Sequence, residues 1–498
     1  MARSLNPLRQ PSPEEAWTRR DVMRNGMGSF ALLCTLGNRA LLDKPRVVTS
    51  ARKRSQAAAP FAPFQRDLPI MPELVPVRST KDTDFYEVAI RQGMADVLPG
   101  YQTPIYGYEG IYPGPTIRAR KGRTAMVKQT NTLSFDSNVH LHGGYVPAEF
   151  DGHPMDVIAP GASFDYKYPN DQDAAFLWYH DHAHGRTART LYYGLVGTYV
   201  LHDDREEDLD LPLGEYDVPL VIQDHAFNKD GSFRYAENVD VGFFGDTILV
   251  NGAIAPRMAV DRRKYRFRIL NASNARGYRL VLGGGREMVQ IASDGGLLEK
   301  PVRRKEIPIF PAERVEVVID FAKFTPGTQL VLRNEGGEAS TTAVMRFDVG
   351  RGGGAEDFRV PRKLRRLPDL PEPNATRRLD LALQSSSSVQ WQINGRGFDP
   401  SRIDVRPRLG SSEIWQFTNP SNRVHPMHLH GMLFRIRERS TGVVHRADRG
   451  WKDTVAVQPG ERVEVQPWFG PYAGRYVFHC HNLEHGDKAM MLQLEVVE

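Results

Sequence analysis

Near the C-terminus, Phe478-His479-Cys480-His481-Asn482-Leu483-Glu484-His485 is followed by Met490. Tyr476, Val477 and Phe478 favour a strand. Successive side chains on a strand face opposite ways, so His479 and His481 point to one side and Cys480 to the other. A single strand can therefore feed two metal sites. His485 and Met490, in the loop that follows, are offered to the Cys480 side. Two imidazoles, a thiolate and a weak thioether form the blue-copper donor set. That set needs one more histidine, and the other face needs further His-x-His pairs.

The chain supplies both. Eleven of its 15 histidines fall in four short clusters. These are His140-Leu141-His142-Gly143-Gly144, His180-Asp181-His182-Ala183-His184, His425-Pro426-Met427-His428-Leu429-His430-Gly431, and His479-Cys480-His481 with His485. His425, Cys480, His485 and Met490 complete the blue-copper set. The pairs 140/142, 180/182, 428/430 and 479/481 remain. Eight imidazoles can hold three coppers, two on one and three on each of the others. Zinc is the rival reading, since His180-Asp181-His182 is of the kind found in zinc hydrolases. It leaves Cys480, Met490 and half of the histidines without a role. His153, His202, His225 and His445 stand alone and read as surface or core residues. His184 reads as a non-ligand beyond the end of its strand, Trp178 and Tyr179 as packing, and Asp224 as acidic structure.

The elements that position these clusters recur. A β-rich run ending in Asn occurs at Thr116–Asn131, Tyr265–Asn271 and Glu413–Asn419. A Pro-led strand with period-2 alternation begins at Pro160, Pro311 and Pro459. The spacing from Pro160 to His180 equals that from Pro459 to His479, whereas the middle copy has Val331-Leu332-Arg333-Asn334 at about that place. Alternation with frequent turn signals predicts an all-β chain of three β-sandwich units. We place them at 70–203, 204–352 and 370–498, with a Gly- and Pro/Arg-rich linker over 353–369. The first and third units carry metal ligands and the second is a spacer.

Composition is ordinary for a globular chain of 498 residues, and its 44 Gly and 35 Pro favour turns over long helices. Of 65 Lys and Arg and 60 Asp and Glu, residues 1–60 hold 11 and 4, so the net charge of +5 belongs to the N-terminal segment. The body lacks the basic character of a nucleic-acid binder. No apolar run reaches the roughly 18 residues of a membrane span. Residues 1–69 read as a leader or basic arm. Thr18-Arg19-Arg20-Asp21-Val22-Met23-Arg24 before the apolar run Met27–Leu36 resembles a twin-arginine export signal. Export to the periplasm, cell surface or medium is the expectation, with a cytoplasmic or spore-associated protein as the alternative. Cys34 is the only other cysteine, so if Cys480 binds metal the body has no disulfide partner.

The four clusters resemble the copper signatures of the multicopper oxidases, and their wording is similar to the branch of bacterial spore-coat laccases and bilirubin oxidases. The resemblance covers 70–498. It implies three cupredoxin-like Greek-key domains and four coppers. By motif position, His140 and His428 are the expected ligands of the type 2 copper. His142, His180, His182, His430, His479 and His481 are those of the type 3 pair. It further implies one-electron oxidation of a small reducing substrate, with electrons passing from Cys480 to His479 and His481 and dioxygen reduced to water between domains 1 and 3. Phenols and aromatic amines are the expected substrates. A metal-ion oxidase for Mn, Fe or Cu(I), or a non-catalytic electron carrier, are the alternatives. The family places a proton-relaying acid a fixed distance after the first histidine, and Asp151 stands at that position here. A second acid normally follows the final histidine. Gly486 stands there, so Asp487 substitutes or that relay is missing. Met490, where some members carry Leu or Phe, should lower the blue-copper potential. Met491 reads as core. Arg423 replaces a tryptophan of bilirubin oxidase, which argues against bilirubin as substrate. The scattered methionines argue against a Met-rich cuprous-oxidase insertion.

Overall fold

The computed structural model describes residues 62–238, 240–353, 358–385 and 389–498. The twin-arginine-like segment and Cys34 lie outside the described residues. The body is almost entirely β, and its strands form three pairs of facing sheets. In the first pair, a five-stranded sheet built on Thr83–Ala95 and Thr124–Asn131 faces a four-stranded one containing His140–His142 and Ala175–His180. In the second, a seven-stranded sheet around Lys264–Asn271 and Arg314–Asp320 faces a five-stranded one around Gln329–Asn334. In the third, a five-stranded sheet around Ile414–Thr418 faces a four-stranded one containing His425–Leu429 and Gly474–Cys480. Each sandwich has its own apolar core, and Phe267, Phe347 and Leu280 fill the middle one. Thr124–Asn131 alternates between buried and partly exposed positions, as a sheet with one covered face requires. Ala175–His180 is buried throughout because other domains cover its second face.

The repeat has a structural cause. Asn131 donates to the carbonyls of Phe135 and Ile158, both at 2.8 Å. Asn271 donates to Arg276 at 2.8 Å and Ile309 at 3.1 Å. Asn419 donates to Arg423 at 2.6 Å and Val457 at 3.0 Å. The second acceptor always lies just before the repeat proline, so each asparagine ties one sheet to the entry of the next strand. The residue after that proline takes a left-handed conformation in all three copies, at Gly161 (φ 79°), Ala312 (φ 70°) and Gly460 (φ 73°). Its amide donates to the asparagine carbonyl in each.

The segments flanking the sandwiches are themselves packed. Residues 62–69, placed in the leader, dock on the middle sandwich: the amides of Phe64 and Leu68 donate to the carbonyls of Ala255 and Arg257, and Leu68 enters the middle core. Leu68 is one of the apolar residues whose burial decides where a domain begins. The linker also packs, because Leu364 is fully buried and Arg365 forks onto Asp203. No helix among the described residues is long and apolar enough to cross a membrane.

Candidate metal centre

Strand pairing brings the histidines together. His140–His142 lies antiparallel to Ala175–His180, placing His140 opposite His180 and His142 opposite Trp178. His425–Leu429 pairs with Gly474–Cys480, placing His428 opposite His479 and Met427 opposite Cys480. The two sheets meet, and eight buried imidazoles converge as three donor groups: His140 with His428 beside His142, then His142, His180 and His481, then His182, His430 and His479.

Most of the rings have one nitrogen tied back and one left for a ligand. The Nδ1 of His140 donates to the Asp151 carbonyl at 2.6 Å and that of His428 to the Asp453 carbonyl at 2.9 Å. Their Nε2 atoms are then 3.4 Å apart. His430 donates from Nδ1 to Asp151 Oδ2 at 2.8 Å, and its Nε2 lies 3.1 Å from that of His479. The Nε2 of His182 is also 3.1 Å from His479. In the remaining group, His142 Nδ1, His180 Nε2 and both ring nitrogens of His481 are buried without partners. Burial and the neighbouring imidazoles hold these histidines well below their usual pKa, down to about 4 at His428 and about 3 at His479. They are neutral at physiological pH, the form a metal takes.

On the other face, Cys480 Sγ lies 3.6 Å from His425 Nδ1 and 3.7 Å from His485 Nδ1. His485 rides on a short helix, Leu483–Lys488, rather than on the expected loop. Met490 is fully buried in the same core cluster, and its carbonyl accepts the Cys480 amide at 3.0 Å. Burial pushes the Cys480 thiol upward, so a cation is what would make it a thiolate. A soft thiolate, two imidazoles and a thioether suit copper, and orphaned neutral imidazoles in threes suit copper or zinc. The donor chemistry therefore fits four coppers.

Models of the multicopper oxidase family match residues 89–206, 198–346 and 371–498. A laccase of Bacillus subtilis is 36% identical over 87% of this chain and 98% of its own. A bilirubin oxidase of Albifimbria verrucaria is 34% identical over 94% of this chain and 88% of its own. The McoA multicopper oxidase of Aquifex aeolicus superposes with a TM-score of 0.81 at 32% identity, covering 88% of this chain and all of that one. This chain belongs to the multicopper oxidase family. It is a copper oxidoreductase with dioxygen as acceptor.

Asp151 lies against the histidine groups. It is fully buried, touches His140 and His430, and has Oδ1 without a hydrogen-bond partner. Burial raises its pKa well above the usual carboxylate range. Asp487 has a different arrangement: its carboxylate accepts the amides of Thr187 at 3.1 Å and Ala188 at 2.8 Å. Burial lifts it to about 7. With His182, His184, His479 and Gly486 it lines a small pocket of about 10 Å³, close to the space of a single water. A Cβ at Gly486 would stand 2.9 Å from the Cys480 carbonyl, so the acid expected after His485 would have to displace backbone here.

The residues set aside in the sequence have ordinary partners. His153 meets Gln493 Oε1 at 3.0 Å, His202 meets Glu206 at 2.7 Å, and His225 meets the Tyr192 carbonyl at 2.8 Å. His445 accepts the Ala447 amide, and Asp224 pairs with Arg276 at 2.8 Å. Trp178 stacks on His180 at 4.3 Å and so packs directly against the ligand rings.

Sequence reasoning missed three residues. Trp391 covers the Cys480 side, with its ring 4.5 Å from His425 and 5.0 Å from His485. Its indole N–H donates to the Asp240 carbonyl at 3.2 Å, and Arg423 reaches the Asp240 carboxylate at 3.2 Å. Asp453 accepts from His142 Nε2 at 3.0 Å, and Arg314 of the middle domain forks onto Asp453 at 2.7 and 2.5 Å. The middle domain is therefore more than the expected spacer. The one signal available was Gly143, where a Cβ would meet Arg314 Nη2 at 2.5 Å and Asp453 Oδ2 at 2.6 Å.

Proposed function

We propose that this oxidase removes single electrons from phenols and aromatic amines and delivers four of them, with four protons, to dioxygen to give two waters. We assign His425, Cys480, His485 and Met490 to the type 1 copper and His140 with His428 to type 2. His142, His180 and His481 hold one type 3 copper, and His182, His430 and His479 the other. Bound copper supplies one-electron acceptance on the Cys480 face and dioxygen reduction on the histidine face. The protein supplies the connection between the two. Cys480 belongs to the first donor set and its neighbours His479 and His481 to the second, so one residue of backbone joins them. That opposed placement is the observation that carries the reading.

Asp151, on the rings of His140 and His430, is the group we assign to moving protons toward the site. The likeness to laccases supports the substrate class. The test is copper stoichiometry and absorption of the purified protein, followed by oxygen uptake with a phenolic donor. Four coppers, a blue band and uptake are expected. A fully loaded blue protein that consumes no oxygen with phenols, amines or metal ions would overturn the oxidase reading. Uptake confined to Mn(II), Fe(II) or Cu(I) would replace the substrate class. The twin-arginine-like segment supports export, which fractionation of cells with Arg19 and Arg20 changed to Lys would test.

A further inference from the structure

We propose that Arg314, from the domain without ligands, is a positioning residue that assembles the trinuclear site by holding Asp453 between the two histidine-bearing domains. The inference rests on the ligand assignment above. The site is made of two halves on separate domains, and something must fix their register. Arg314 is fully buried and uses its whole guanidinium. Besides the fork onto Asp453, it donates to the carbonyls of Phe176 at 3.0 Å, Ala312 at 3.0 Å and Asp294 at 3.1 Å. It therefore binds domain 1 through Phe176, on the strand that ends in His180, and domain 3 through Asp453. Asp294 secures it from its own domain, where Oδ1 also accepts the Arg314 amide at 2.7 Å.

Asp453 in turn sets two rings from different halves. Its Oδ1 accepts from His142 Nε2, which fixes the tautomer of that ring and leaves Nδ1 as its donor atom. Its backbone carbonyl accepts from His428 Nδ1, which leaves Nε2 facing His140. The two rings stack at 3.7 Å across the domain boundary. An isolated carboxylate at this depth would be costly, and the bidentate guanidinium is what keeps it charged and oriented. Asp453 is accordingly held below the usual carboxylate range despite burial, by the Arg314 charge and hydrogen bonds. Gly143 completes the arrangement, since only a residue without Cβ lets the pair close against the turn after His142, where φ is +84°.

The test compares Arg314→Lys, Arg314→Met and Asp453→Asn with Arg276→Lys, which disturbs another buried pair of the same domain that touches no ligand. Copper per chain, the type 2 paramagnetic signal, the blue band and copper release to a chelator are read from each purified protein. The clamp variants are expected to keep the blue band and folded circular dichroism but to lose or alter the type 2 signal. Copper release from the histidine face should rise on the order of 10–100-fold. Arg314→Lys, which keeps the charge without the fork, should fall between wild type and Arg314→Met. Retention of four coppers with an unchanged type 2 signal in Asp453→Asn would overturn the inference, as would equal loss in Arg276→Lys. Should a clamp variant fail to fold, Gly143→Ala gives the same reading, because its Cβ enters the pair directly. A wild type lacking type 2 and type 3 copper would instead sink the ligand assignment itself.

Discussion

Removing copper should make the fold acutely acid-sensitive. All ten ligand imidazoles are pushed below their usual pKa, to about 3 at His425 and His479 and about 4 at His428, chiefly by burial. In the unfolded chain each titrates near its ordinary value. Between pH 4 and 6.5 the unfolded state therefore binds protons that the folded state refuses, and stability falls as pH falls. Six buried carboxyls work in the opposite sense. Asp151, Asp181, Asp294, Glu313, Glu484 and Asp487 are raised by burial, so the folded state keeps their protons where the unfolded state has released them. The lowered imidazoles outnumber the raised carboxyls, so the metal-free protein takes up protons on unfolding, each net proton being worth about 1.4 kcal/mol per pH unit. A net uptake of a few protons over one to two pH units is comparable in free energy to a typical folding stability of about 5–15 kcal/mol. Copper holds the same imidazoles unprotonated in the folded state, so while it stays bound it adds stability without changing that slope. The assay is the urea midpoint of stripped and loaded protein between pH 5 and 7.5. Both forms should lose stability toward pH 5 along similar slopes, with the stripped protein lower throughout and so unfolding at a higher pH. A stripped protein whose midpoint hardly changes between pH 5 and 7.5 would refute the reasoning, because it would mean that the buried imidazoles do not govern the acid response.

Three substitutions probe the rest. Cys480→Ser should abolish the blue band and oxygen uptake while type 2 and type 3 copper stay bound, and a surviving blue band would remove Cys480 from the type 1 set. Asp151→Asn keeps the volume but not the proton. It should slow oxygen reduction by about 10²-fold or more with little change of colour, and an unaltered rate would exclude Asp151 from proton supply. Asn271→Ala cuts the middle copy's hydrogen bonds to Arg276, Ile309 and Ser273 and leaves buried backbone groups unpaired. It should cost about 2–4 kcal/mol in chemical denaturation and leave copper content unchanged.

The histidine clusters were legible because a strand writes its facing into the sequence. His479 and His481 with Cys480 between them can only divide between two faces, and two of the strands feeding the histidine face recur at one spacing from a repeat proline. The short helix carrying His485 was not legible, since Gly486 and the polar residues around it read equally well as a turn. Trp391 was not legible either, because it lies far along the chain from both histidines it covers and has no neighbouring ligand.

Arg314 gives the middle domain a contact that its lack of histidines does not announce. Glu313-Arg314-Val315 and Glu461-Arg462-Val463 occupy the same place in the repeat, each shortly past its proline. The shared part of their structure is real: Glu313 accepts the Phe310 amide at 2.8 Å and Glu461 the Gln458 amide at 2.9 Å. The arginines nevertheless have opposite fates. Arg462 is 44% exposed and pairs with Glu438 on the surface, whereas Arg314 is wholly buried against the other two domains. A period-2 pattern predicts which side of a strand a residue takes, but not what lies beyond that side. In the third domain it is solvent, and in the middle domain it is the junction at which the two halves of the copper site meet. There the repeat arginine of the middle copy faces inward, onto Asp453 beside the histidines.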